Sequence, residues 1–266
     1  MDIVHALVLA LIQGVTEFLP ISSSGHLILP KEVLGWPDQG LAFDVAVHVG
    51  TLAAVVLYFR RDLAAIIVGG LKSCTGDFSD SNAKLAWMIV FATIPAGLAG
   101  LLFNDFIEAH LRSTAVIAST TIVFGLLLAF ADKTAAFNKD LLSLGIKAAL
   151  IIGCAQALAL IPGTSRSGIT ITAALLLGFN RESAAKFSFL MSVPIIVLSG
   201  GFKGLELLEG HSVDWLAIGV GVLVSAVSAY LCIHYFLSFI NRLGMMPFVW
   251  YRLALGAALL LMLALA

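Results

Sequence analysis

The stretch Gln13-Gly14-Val15-Thr16-Glu17-Phe18-Leu19-Pro20-Ile21-Ser22-Ser23-Ser24-Gly25-His26 interrupts an otherwise apolar run that begins at Ile3 and resumes as far as Leu34. A helix that crosses a bilayer needs about 20 mostly apolar residues. The run 3–19 reaches a proline and three serines before it can be a complete span. Non-helical backbone at membrane depth persists only where protein buries it or where it lines a wet cavity. The reading is therefore a re-entrant hairpin over 3–34, made of two half-helices broken at Pro20.

The same device occurs once more. An apolar run over 144–161 meets Pro162-Gly163-Thr164-Ser165-Arg166-Ser167-Gly168 and continues to Phe179. Shifted by 143 positions, Gln13 falls on Gln156, and Ser22-Ser23-Ser24-Gly25 falls on Ser165-Arg166-Ser167-Gly168. Between and after the hairpins, ordinary spans are expected at 43–59, 85–103, 115–131, 187–202, 215–240 and 247–266. Each hairpin is followed by three spans, an odd number, so the second unit enters from the opposite face. The fold expected is an all-α polytopic membrane protein with an inverted-topology repeat, six transmembrane helices and two re-entrant helical hairpins. It forms one membrane domain over 1–266: repeat one covers about 1–140 with hairpin 3–34, and repeat two about 141–266 with hairpin 144–179.

Composition agrees. Of 266 residues 60% are hydrophobic and 12% charged, and the mean hydropathy is +1.04; soluble domains carry about 25% charge. Too little polar surface remains to coat a water-soluble globule, which excludes a cytosolic enzyme and a disordered chain. A net charge of −1 with no basic tract argues against a nucleic-acid partner. Three scattered cysteines with no CxxC pair suggest neither a disulfide framework nor a zinc site. No Lys or Arg precedes Lys31, so the start lacks the basic region of a secretory signal and is expected to remain.

Lysine and arginine collect at one end: Arg60, Arg61, Lys72, Lys84, Lys133, Lys139, Lys147, Arg181, Lys186 and Arg242. The other end has Lys31, Arg112 and Lys203 among acidic residues that include Asp38, Asp44, Asp105, Glu108, Glu209 and Asp214. The positive-inside rule makes the first end cytoplasmic. The first hairpin then opens outward and the second to the cytoplasm.

Glu17 is an ionisable side chain in an apolar setting, which is costly and marks a site; the alternative is a solvated helix end. Gln13, four residues earlier, shares its face. Ser22, Ser23 and Ser24 after Pro20 serve as helix caps, and together with Gly25 they open a half-helix whose free N–H groups bind phosphate. One of the three hydroxyls can also act as a nucleophile. His26, one turn on, is the base or the proton donor. Thr164, Ser165, Ser167 and Gly168 repeat the cradle around Arg166, whose planar fork suits phosphate oxygens. The competing role for Arg166 is a structural ion pair with Glu17. Two helix N-termini with an arginine facing a carboxylate point to a phosphorylated substrate and a divalent cation, held by Glu17 with Gln13 as second ligand candidate. His48 and Asp44 read as core or gate residues; His5, His110, His211 and His234 have no supporting partners.

QGVTEFLPISSSGH and PGTSRSG, half a chain apart, resemble the two signature motifs of the undecaprenyl-diphosphate phosphatase family, also called bacitracin-resistance proteins. FDVAVHVGTLAAV and FSFLMSVP resemble further blocks of that family. The resemblance implies hydrolysis of a C55 polyprenyl diphosphate lipid to the monophosphate carrier of cell-wall synthesis. It also implies Mg²⁺ or Ca²⁺, a multi-pass location in the bacterial plasma (inner) membrane and room for a homodimer. Its catalytic residues fall on Glu17, Ser23, His26 and Arg166. Gln13 stands where a glutamate is frequent, which weakens a paired-carboxylate metal site. A polyprenyl-phosphate transporter is the rival expectation, since an inverted repeat around a phosphate site also suits a carrier.

Overall fold

The computed structural model describes residues 2–77, 79–207 and 214–265, all helical apart from turns and short loops. Glu209 and His211 lie outside the described residues. The first hairpin consists of α1 (Ile3–Thr16) and α2 (Ser23–Leu34), and is followed by α3 (Leu41–Tyr58), α4 (Arg60–Cys74), α5 (Ser81–His110) and α6 (Thr114–Thr134). The second hairpin consists of α7 (Ile146–Ala157) and α8 (Arg166–Leu176), and is followed by α9 (Arg181–Leu207), α10 (Trp215–Leu243) and α11 (Met246–Leu265).

Among the described residues six helices are long and apolar enough to cross a bilayer: Leu41–Tyr58, Ser81–His110, Thr114–Thr134, Arg181–Gly201, Trp215–Leu243 and Met246–Leu265. Each contains or overlaps one of the six spans read from the sequence. The four hairpin helices have 14, 12, 12 and 11 residues, about 16–21 Å at 1.5 Å per residue. That is short of a hydrocarbon core of about 30 Å. The protein is thus a multi-pass helical membrane protein, and large apolar side chains such as Leu102, Val123 and Leu261 point outward, 58–74% exposed. In water such a surface would aggregate; in lipid it is solvated.

One element is unexpected. Residues 60–74 form a helix, α4, although the sequence reading placed none between the first two spans. Its charges at Arg60, Arg61, Asp62 and Lys72 break the apolar run, and 15 residues are too few to span.

Packing crosses between the two halves. α1 lies mainly along α10, and α7 mainly along α5, while α3 also packs on α10 and α6 on α11. Glycine permits the two hairpin contacts. A β-carbon at Gly14 would run into Ser228 Oγ and the Ser225 carbonyl of α10, and one at Gly153 into the Ala92 carbonyl of α5. The buried core includes Phe18, Phe59, Phe187, Phe189 and Met191, and Phe18 of the first broken turn meets the Phe189 ring at 5.1 Å.

Candidate functional site

The two breaks are built alike. Ser22 and Ser165 are N-caps with φ of 76° and 71°, a left-handed backbone that non-glycine residues adopt only when their surroundings enforce it. Each accepts a hydrogen bond from the N–H three residues on, Gly25 at 3.4 Å and Gly168 at 3.1 Å. Each hydroxyl also lies near that of the serine two residues on, Ser24 at 3.3 Å and Ser167 at 3.2 Å. An Asp or Ser cap satisfies an orphan N–H that would otherwise be buried unpaired, which is why the helices restart where the serines stand.

The two turns touch. Ser167 Oγ donates to the Leu19 carbonyl at 2.8 Å. Arg166 donates from one terminal nitrogen to Glu17 Oε1 at 2.8 Å and from the other to the Ser188 carbonyl at 3.1 Å. Its guanidinium lies 5.8 Å from the Phe18 ring centre, a cation–π distance. Glu17 Oε2 accepts from Ser23 Oγ at 2.7 Å and from Gln13 Nε2 at 3.0 Å. Glu17 is 8% exposed; so deep a carboxylate persists because a cation and two neutral donors satisfy it. Gln13, Glu17, Ser23 and Arg166 are therefore brought together. Of the three hydroxyls, Ser23's is the one bonded to the carboxylate, while Ser22 and Ser24 serve the cap. In the second turn Ser165 caps and Ser167 joins the turns; Gly168 lies under a new neighbour, Arg252, and Thr164 Oγ1 is buried with no hydrogen-bond partner.

His26 stands apart from this cluster. Its Nδ1 is 2.6 Å from the Ser22 carbonyl and its Nε2 2.6 Å from the Tyr251 hydroxyl. A carbonyl only accepts, so Nδ1 carries the proton and Nε2 accepts from Tyr251. The imidazole thus braces the first turn and does not reach Ser23. The histidine near the carboxylate is instead His48, with Nε2 4.0 Å from Glu17 Oε2; its Nδ1 is held by the Asp44 carbonyl at 2.7 Å. The sequence reads His48 as a core or gate residue; its neighbour Glu17 is 31 positions away and beyond the end of another helix.

Arg252 was missed altogether. It is fully buried and reaches both turns at once: one terminal nitrogen donates to the Pro20 carbonyl at 3.2 Å, the other to those of Gly163 and Thr164 at 3.0 Å each, and Nε to Thr121 at 3.0 Å. So deep a guanidinium persists because carbonyl oxygens satisfy its donors. The signal was available, since Arg252 is the one charge in the last apolar run and a lone intramembrane arginine needs partners.

The donor set bears on the expected cation. Gln13 Oε1 is buried without a hydrogen-bond partner beside the Glu17 carboxylate. Two hard oxygens of this kind fit Mg²⁺ or Ca²⁺ if phosphate oxygens complete the shell. Among the described residues no group of three or more His, Cys, Asp or Glu side chains gathers, at this site or elsewhere.

Fold and site together describe a multi-pass membrane protein with two broken hairpins whose tips meet at a buried Glu–Ser–Arg cluster. The family model described as bacitracin resistance protein BacA matches residues 6–258, and the chain belongs to that family. It is 69% identical over 259 residues to a protein of Saccharophagus degradans, covering 97% of each chain. It is 67% identical over 260 residues to one of Teredinibacter turnerae, covering 97% of this chain and 98% of that one. With one of Aliivibrio salmonicida it shares 60% over 262 residues, 98% of each. All three carry the name undecaprenyl-diphosphatase.

Proposed function

We propose that the protein is a membrane phosphatase that hydrolyses undecaprenyl diphosphate to undecaprenyl phosphate and inorganic phosphate, renewing the lipid carrier of cell-wall synthesis and conferring bacitracin resistance. The name shared by its relatives supports this reading, and one observation carries the chemistry: Ser23 Oγ donates to Glu17 Oε2 at 2.7 Å while Arg166 holds Oε1.

Glu17 takes the Ser23 proton as the hydroxyl oxygen attacks the terminal phosphorus. The bond from that phosphorus to the bridging oxygen breaks, and the lipid monophosphate departs with the electron pair. Glu17 passes its proton to the departing lipid monophosphate. Water then attacks the phosphoserine; Glu17 takes a proton from that water and returns it to the Ser23 oxygen as its bond to phosphorus breaks, and inorganic phosphate leaves. Arg166 turns its fork to the equatorial phosphate oxygens, where paired donors in one plane match the developing charge. The N–H groups opening α2 and α8 add their dipoles. Ser22, Ser24, Gly25, Thr164, Ser165, Ser167 and Gly168 shape this cradle, and His26 with Tyr251 holds the first turn in place. Glu17 and Gln13 Oε1 are the groups that would hold Mg²⁺ or Ca²⁺; a bound cation supplies charge neutralisation at the diphosphate.

The hairpins are read as corresponding parts of an inverted repeat, over about 1–140 and 141–266. The equal turn geometries and the exchange of α1 and α7 between halves support that reading. The concentration of Lys and Arg at one end supports a plasma-membrane orientation with the Glu17 hairpin opening outward. A carrier built on the same repeat would have no use for a serine bonded to a carboxylate, so hydrolysis is the stronger reading.

The test uses the full chain, purified in detergent, with undecaprenyl diphosphate. One phosphate released per lipid is expected. No release, combined with movement of polyprenyl phosphate across reconstituted bilayers, would replace the enzyme by a transporter.

A further inference from the structure

α4 plays no part in the chemistry above, yet its surface is unlike that of any span. α3 ends at Tyr58 and α4 begins at Arg60, so the chain turns as soon as it leaves the bilayer and returns in α5 at Ser81. One face of α4 is seated on the bundle. Ile66, Gly69 and Ser73 are buried, and Trp87 Nε1 of α5 donates to Ser73 Oγ at 2.9 Å. Asp62 is taken by Lys186 of α9 at 2.6 Å.

The outward face divides in two. At 100° per residue, Ala64, Ile67, Val68 and Leu71 form one strip; the three larger side chains are 59%, 50% and 65% exposed. Arg61 and Lys72 lie together along the edge of that strip, with Arg60 at its start and Lys84 at the base of α5, all exposed. Among the described residues none of these four cations is in ion-pair contact with a carboxylate; the nearby Asp77 carboxylate accepts instead from the N–H and hydroxyl of Ser79, at 3.0 and 2.6 Å. An apolar strip bordered by cations is the pattern of a helix lying in a membrane interface, apolar side chains among the acyl chains and ammonium or guanidinium groups at the phosphates.

We propose that α4 is an interfacial helix that binds the headgroups of anionic phospholipids in the leaflet at the basic end of the bundle. The charge complementarity of Arg60, Arg61, Lys72 and Lys84 selects this occupant over a zwitterionic lipid. The row Ile67, Val68 and Leu71 gives the helix a depth that a water-exposed helix would not have. Because α4 packs on α5 and is tied to α9 by the Asp62–Lys186 pair, with no hydrogen bond or ion pair to the Glu17 cluster among the described residues, the inference stands or falls apart from the proposed hydrolysis.

The test places a bimane label on Leu71→Cys in the full chain, with Cys74, Cys154 and Cys232 replaced by Ala, reconstituted in vesicles of phosphatidylcholine and phosphatidylglycerol. Either lipid is brominated on its acyl chains in turn. A label on Leu223→Cys of α10, 65% exposed, controls for correct insertion. Each basic group near an anionic surface is worth about 1 kcal/mol, or roughly fivefold. Brominated phosphatidylglycerol should therefore quench the Leu71 label with at least about threefold preference over brominated phosphatidylcholine. Arg61→Gln with Lys72→Gln should bring that preference near one without changing quenching at Leu223. Should the double variant insert poorly, Lys72→Gln alone, at an exposed position, must lower the preference in the same direction. Equal quenching by the two lipids in the parent protein overturns the proposal. So does a Leu71 label that neither lipid quenches, which would mean that water or a soluble partner covers the strip.

Discussion

The two broken hairpins share a backbone and differ in what they carry. At the shift of 143 that superposes Ser22 on Ser165, Glu17 becomes Leu160, Ser23 becomes Arg166, His26 becomes Ile169, and Gln13 stays glutamine as Gln156. The caps, the positive φ and the paired serine hydroxyls survive on both sides. The turn is therefore set by the serines and the glycine, while Glu17, Ser23 and His26 stand at positions in and around it that change between the two copies. Gln156 shows what a missing partner does. Gln13 has Glu17 for its amide nitrogen, but both polar atoms of Gln156 are buried with no hydrogen-bond partner, because a leucine stands where the carboxylate would be. One hairpin contributes the carboxylate and the serine bonded to it, the other the cation that pairs with that carboxylate; on the proposed mechanism neither is a site alone.

The sharpest way to break this division is at its carboxylate. Glu17→Gln and Ser23→Ala should each lower kcat/KM by about 10²–10⁴-fold. Ser23→Ala should leave the melting temperature nearly unchanged, while Glu17→Gln, which leaves Arg166 without its anion, should also lower it. A Glu17→Gln protein that keeps more than about a tenth of the parent kcat would make Glu17 a structural group.

The joint between the hairpins comes next. Arg252→Met leaves the Pro20, Gly163 and Thr164 carbonyls without their shared donor, so a loss of about 3–5 kcal/mol is expected. Thermal unfolding in detergent should register it as a fall of about 10 °C; an unchanged melting temperature would mean that the turns hold themselves.

Arg166→Lys distinguishes phosphate grip from ion pairing. A lysine keeps the charge but not the planar fork, so kcat/KM should fall about 10–100-fold, each lost charge-assisted bond being worth about 1.5–3 kcal/mol. Near-normal kinetics with a lowered melting temperature would make the Glu17 contact a lock and nothing more.

The shared part of the comparison predicts equal effects. Ser22→Ala and Ser165→Ala each remove one cap and should cost about 1 kcal/mol, read by thermal unfolding; unequal losses would show that the turns are not equivalent. The smallest effect is expected at Gln156→Met, which removes an unsatisfied amide of similar size. Stability should hold or rise slightly, whereas Gln13→Met should reduce activity. A marked loss of stability at Gln156→Met would reveal a partner for its amide.

The architecture was legible in the sequence because membranes impose local rules. A span needs a certain number of apolar residues, a proline and three serines stop one early, and a glutamate or arginine in such a run is too costly to be idle. Those rules located six spans, two hairpins, Glu17 and Arg166 from residues close together in the chain. α4 escaped them because its charges hide a short amphipathic helix from a search for long apolar runs. Only the tertiary structure decided which polar groups meet. Glu17 and Arg166 are 149 positions apart, His26 and Tyr251 are 225, and Arg252 reaches Pro20 across 232. The burial cost of each group required a partner without saying which, and a hydrogen bond is decided within a few ångströms that only the packing of α1 on α10 and of α8 and α11 on α6 supplies.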